Sequence, residues 1–189
     1  MLQNNQLLEI CANLEAGKLV LLQTETIWGI LCDATNDATI QQLIKLKSAK
    51  PNEGMVTLVA DYEMLTQHVI AIDPKIDLLL QYHTRPITVV YPNVRGISPL
   101  VTKSNQYAIR IANNHFCQAL VRQFNKPLVA TSAAVSGTPD PTSFGKISSD
   151  ILQGVHHIVK ANQDDKTPRA PSPIVVLNEK SQELEFIRE

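Results

Sequence analysis

The chain has 189 residues, which suits one domain and permits a sizeable core. Its formal charge is −1, with 44% hydrophobic and 19% charged residues, so it does not grip nucleic acid through overall charge, although a local basic groove stays open. Cys11, Cys32 and Cys117 are too few and too widely spaced for a disulfide framework or a zinc knuckle, and read as buried apolar groups in a reducing compartment. The polar, periodic N-terminus and the lack of an apolar run of roughly 18 residues predict a cytoplasmic protein with no membrane partner.

Leu7, Leu8, Cys11 and Leu14 recur at helical spacing, and Gly17 supplies the stop. Leu19–Leu22 reads as a buried strand. Gln23–Thr26 reads as a polar turn leading to Asp33 and Asn36, which can cap a helix over about 37–48 with Ile40, Leu43 and Ile44 on its core side. Residues 50–54 form a loop by their turn chemistry. Met55–Ala60 is a strand, Asp61 caps a helix to about Val69, and Asp73-Pro74 starts another. Ile87–Tyr91 and Tyr107–Ile111 are strands joined by a long surface loop over 92–106. Asn114 opens a helix through Phe124, and Leu128–Thr131 is a strand. A turn-rich stretch over 136–143 precedes a short helix end and strand within 151–158. Residues 163–171 are the best candidate for a mobile loop, and Ile174–Leu177 and Leu184–Arg188 close the chain as strands. Alternating helices and strands, with back-to-back strands near 90 and 110 and at the C-terminus, predict an α/β fold on a mixed sheet.

No P-loop, dinucleotide fingerprint, HExxH or GxSxG sequence is present, and seven glycines are too few for a glycine-rich phosphate cradle. Phosphates, if bound, must meet hydroxyls, lysines, arginines and helix N-termini. Two polar stretches directly follow strands: Gln23–Gly29 and Thr131–Gly137. Their hydroxyls can bind a small amino acid or a phosphate at strand ends, or cap local backbone groups. Trp28 reads as core. Lys47 ends a helix, where a cation suits the dipole and water can solvate it. Arg110 interrupts an apolar strand, and a charge there needs a partner or a ligand. His156-His157 reads as structural, and no metal-ligand spacing occurs.

The order of pieces resembles the YrdC-like threonylcarbamoyl-AMP synthase family. The carriers are Thr24-Glu25-Thr26-Ile27-Trp28-Gly29, Leu46-Lys47, Gly54 before an apolar strand, Pro86-Ile87-Thr88, Ala108-Ile109-Arg110-Ile111, Lys126 through Ala133 with Ser136-Gly137, and Ser172 with Ile174-Val175 and Phe186-Ile187-Arg188. The resemblance implies one YrdC-like domain over 1–189, a twisted mixed sheet with flanking helices, and a concave basic cavity. It implies formation of threonylcarbamoyl-AMP and pyrophosphate from L-threonine, bicarbonate and ATP with Mg²⁺, for tRNA threonylcarbamoyladenosine modification. Partners implied are downstream threonylcarbamoyl transferase proteins and tRNA or double-stranded RNA. Thr24, Thr26, Arg110, the Ala130 backbone and Ser172 would hold threonine. Lys47, Lys50, Ser132, Ser136 and Arg188 would serve ATP, with Lys47 and Ser132 catalytic.

The chain departs from the family pattern at several positions. Ala49 and Ala134 stand where the family carries an arginine and an asparagine. Glu53, Pro173, Arg85 and Gln23 replace its usual lysine or asparagine, threonine, glycine and proline. Losing polar ATP contacts at roughly 1–3 kcal/mol each predicts a weakened nucleotide subsite. The alternative reading is a non-catalytic paralogue that binds nucleotide or RNA.

Overall fold

The computed structural model describes residues 2–49, 55–102, 104–178 and 180–188, so the expected loop over 50–54, with Lys50 and Glu53, lies outside the described residues. The helix starts follow from short polar side chains that accept an orphan N–H of the first turn. Asn36 caps α2 (Asp37–Leu46) through Thr39 N–H, Asp61 caps α3 (Tyr62–His68) through Met64 N–H, and Asp73 caps α4 (Pro74–Tyr82) through Lys75 N–H. Asn114 caps α5 (His115–Phe124) through Cys117 N–H. The first helix, α1 (Leu2–Glu15), ends as expected at Gly17, whose φ of +68° admits glycine without strain. A short α6 (Ser149–Gly154) completes the helices.

Among the described residues nine strands form one sheet: β1 (Val20–Gln23), β2 (Trp28–Asp33), β3 (Val56–Val59), β4 (Thr88–Pro92), β5 (Gln106–Ile111), β6 (Leu128–Ser132), β7 (His157–Ile158), β8 (Ile174–Leu177) and β9 (Leu184–Arg188). Their spatial order is β7-β1-β2-β6-β3-β5-β4-β8-β9, and the sheet is mixed. The expected antiparallel pairs β4–β5 and β8–β9 are both present. Strand β2 was hidden in the sequence. All six of its residues are buried, so no alternation marks it, and it is clamped between β1 and β6 in the sheet interior. Gln23 therefore ends β1 opposite Trp28, and residues 24–27 form a β-hairpin loop, closed by Thr24 N–H donating to the Ile27 carbonyl at 3.2 Å.

The 92–106 connection also differs from the expected surface loop. Ile97, Ser98, Val101 and Thr102 are buried, Val94 bridges Val69, and Met55 N–H donates to the Val101 carbonyl. Its polar composition masks four apolar residues, Val94, Ile97, Leu100 and Val101, which pack on the core. Trp28 is core as expected, with its ring 5.1 Å from that of Phe144. His156 is structural: its Nδ1 accepts the Leu19 N–H at 3.1 Å and so anchors β7 beside β1. All three cysteines are buried, and burial raises each thiol pKa first, so none is a ready thiolate. Among the described residues no helix is long and apolar enough to cross a membrane.

Candidate functional site

Register places the site on one face of the sheet. Gly29 pairs with Ser132, Ala130 with Val56, and Val56 with Ala108, two residues before Arg110. Because side chains alternate along a strand, Gly29, Ser132, Ala130, Val56 and Arg110 share that face. Gly29, Ala130 and Val56 are small and leave a hollow that larger residues would fill; a Cβ on Gly29 would already meet the Thr131 carbonyl at 3.2 Å. The resulting cavity has a volume of about 260 Å³, near the low end for small-molecule sites. Lys47, Arg110 and Arg188 supply cations to its lining, and Asp140 supplies a carboxylate.

The hairpin loop contributes Thr24 and Thr26, both buried. Thr24 Oγ1 donates to the Ile27 carbonyl at 3.0 Å and accepts the Thr26 N–H at 3.2 Å. Its one proton is committed, so the 3.0 Å contact between the two hydroxyls is donated by Thr26. The Thr26 oxygen is left as an acceptor on the cavity wall. The same hydroxyls thus cap the loop and face the cavity.

Arg110 is 4% exposed. Its Nε lies 3.0 Å from Glu25 Oε1, so the expected choice between partner and ligand resolves as a structural partner on one side and an open cavity on the other. Arg110 Nη1 donates to Ser172 Oγ at 3.2 Å, and that hydroxyl lies 2.7 Å from Thr88 Oγ1. The Ser172 carbonyl accepts from Arg188 Nε at 3.0 Å and Nη2 at 2.7 Å. Ser172 itself is 2% exposed and stands behind the wall, where it orients both arginines. Burial holds the Arg188 guanidinium below an arginine's ordinary pKa; Asp140 opposes this and Arg110 adds to it. A half-buried cation pressed by a second cation gains from a bound anion.

Lys47 is the C-cap of α2, and the chain leaves the helix there through Ser48 at φ +50°. Ser48 N–H donates to the Lys45 carbonyl and Ala49 N–H to the Ile44 carbonyl, the paired bonds of a Schellman ending. The expectation of a solvated helix end is corrected here, because Lys47 is 5% exposed. Its ammonium donates to the carbonyls of Ser132 at 2.6 Å and Ala134 at 2.5 Å and reaches Ser132 Oγ at 3.4 Å. Ser136 N–H returns a bond to the Lys47 carbonyl at 2.8 Å. Lys47 therefore fastens the 132–136 turn to the end of α2 and sets a positive charge beside the Ser132 hydroxyl. Ala134 contributes through its carbonyl, a bond that the missing asparagine side chain does not affect.

Of the expected site residues, Thr24, Thr26, Lys47, Arg110, Ala130, Ser132, Ser136 and Arg188 line this cavity together, Ser172 backs it, and Lys50 lies outside the described residues. Sequence reasoning passed over Glu25, Asp140 and Thr88. Arg110 did demand a partner or a ligand, but 18 acidic residues were available as partners and only the hairpin selects Glu25. The 163–171 segment carries no regular element, yet Arg169 pairs with Asp165 at 3.0 Å and reaches the Glu25 carbonyl at 3.5 Å, while Pro171 lines the cavity.

A mixed sheet with a polar, cation-bearing hollow on one face is chemically suited to small anionic or zwitterionic molecules. A family model for the Sua5/YciO/YrdC domain, described as telomere recombination, matches residues 12–189, and the chain belongs to that family. It is 29% identical over 160 residues to a threonylcarbamoyl-AMP synthase of Photobacterium profundum, covering 82% of this chain and 86% of that protein. Its fold is similar to that of P. abyssi Sua5 complexed with L-threonine, with a TM-score of 0.83 at 21% identity over 96% of this chain and 53% of that one. It is similar also to E. coli YciO, with a TM-score of 0.82 at 14% identity over 99% of this chain and 89% of that one. The chain thus spans about half the length of the Sua5 chain it matches.

Proposed function

We propose that this chain is a threonylcarbamoyl-AMP synthase, a single domain that joins L-threonine, bicarbonate and ATP. The reaction makes a bond from the threonine nitrogen to the bicarbonate carbon and one from a carbamate oxygen to the α-phosphorus; water and pyrophosphate leave. Such chemistry needs charge neutralisation and positioning rather than a protein nucleophile. The observation that carries the reading is the pairing of two unlike ends in one cavity. At one end the Arg110 guanidinium suits a carboxylate and the Thr26 oxygen suits an ammonium. At the other, Lys47, Ser132 and Arg188 suit polyphosphate oxygens, with Ser136 on the turn beside them.

Thr24 fixes Thr26, the Ala130 backbone floors the amino-acid end, and Ser172 orients the arginine that grips it. Asp140 is the one lining carboxylate among the described residues, which fits Mg²⁺ entering on the substrate phosphates rather than in a protein cage. We place the reaction in the cytoplasm, upstream of a transferase that carries the product to tRNA. The test is incubation with Mg-ATP, L-threonine and labelled bicarbonate. A labelled adenylate that requires threonine and bicarbonate is the expected result. Unconsumed ATP beside an active relative would contradict the reading.

A further inference from the structure

Glu25 is the least expected group near the site. Its side chain is 6% exposed, and both carboxylate oxygens are buried with no N–H or O–H donor in hydrogen-bonding geometry among the described residues. The Arg110 contact at 3.0 Å is short but lies off the N–H direction, so it is an ion pair more than a directed hydrogen bond. The Cys117 thiol is nearby, and Glu25 adds to the rise in its pKa that burial begins. A carboxylate so enclosed is costly and is weak support for stability on its own account. It does not line the cavity.

Its position relative to Arg110 explains its retention. A guanidinium offers a planar fork, and the edge it presents depends on which edge is held from behind. Glu25 engages Nε, Ser172 takes one Nη1 proton, and the rest of the Nη edge is left for the cavity. We propose that Glu25 is a positioning residue: it fixes the Arg110 guanidinium with its Nη edge toward the cavity before substrate arrives, and so sets the affinity for the carboxylate of the amino-acid substrate. The inference rests on the reading that this cavity takes an amino acid at Arg110. Glu25 acts through Arg110 and touches no substrate. Its negative charge also offsets the Arg110 cation, so that Arg110 can be buried beside the half-buried Arg188 before an anion binds.

The experiment is calorimetric titration of the full chain and of Glu25→Gln with L-threonine, with L-threoninol, which lacks the carboxylate, and with ATP. Glu25→Gln is expected to weaken threonine about tenfold or more, the scale of losing one partner of a buried charge pair. Threoninol and ATP are expected to change less than about twofold. A purely structural role would lower all three together, and that result overturns the proposal. Threonine binding that is equal in the two proteins also overturns it, while leaving the functional reading standing. A native chain that binds no threonine removes the functional reading and the inference with it. Should Glu25→Gln fail to fold, the native chain answers through the Arg110 Nε–H resonance. An Nε–H protected from solvent exchange without threonine supports a preset guanidinium, and rapid exchange overturns it.

Discussion

The two ends of the cavity are built differently. At the Arg110 end the polar side chains are held by one another: Glu25 holds Arg110, and Thr88 and Arg110 share the Ser172 hydroxyl, while the Ser172 carbonyl ties Arg188 of the phosphate end to this network. At the Lys47 end the shortest bonds run to backbone. The ammonium caps carbonyls of the 132–136 turn, and the turn returns one N–H. The first end is a network of side chains drawn from the paired strands β4 and β5 and from the loops that carry Glu25 and Ser172. The second is a helix terminus stapled to a turn, and the family departures Ala49 and Ala134 fall here. Networks of side chains lose much when one member goes, whereas backbone contacts tolerate substitution of the side chains around them.

That contrast predicts a graded set of effects. Arg110→Ala should be most severe, because it strands Glu25 as a buried unpaired charge at a cost of about 3–5 kcal/mol. At about 2–4 °C per kcal/mol for a chain of this size, the melting temperature should fall by roughly 6–20 °C, with threonine binding lost. Calorimetry reads both, and a drop under about 2 °C would argue that Glu25 is otherwise satisfied. Lys47→Ala should lower turnover about 100-fold and raise KM for ATP, with threonine affinity kept within about twofold. Parallel loss of threonine binding would show that the two ends are not separate. Ala49→Arg with Ala134→Asn should lower KM for ATP about tenfold, as one or two restored polar contacts allow; no change would count against assigning these positions to the nucleotide. Ser48→Gly should have the smallest effect. It relieves a left-handed non-glycine residue at the end of α2, adding about 0.5–1 kcal/mol and roughly 1–4 °C without altering turnover.

Most of the fold was legible because its signals are local. Asn36, Asp61, Asp73 and Asn114 announce their helices through caps, and Gly17 announces a stop. Strand β2 was not legible, since a strand buried on both faces shows no alternation. Eight site residues could be gathered on one cavity because the family resemblance names positions in order. The partners that hold them could not. Glu25 meets Arg110 across 85 residues of chain, and Thr88 meets Ser172 across 84, contacts that exist only once the sheet order β2-β6-β3-β5-β4-β8 is set. The burial of Lys47 was missed for the same reason: helix spacing places it at an end, but only the 132–136 turn covers it.

The most direct test of a preset amino-acid end is titration of the native chain with L-threonine in the absence of ATP and Mg²⁺. The account predicts saturable binding that is lost with Arg110→Lys, whose point charge cannot copy the fork. Threonine that binds only after nucleotide is added would contradict it, and would mean that the Arg110 end is assembled by ATP rather than by the fold.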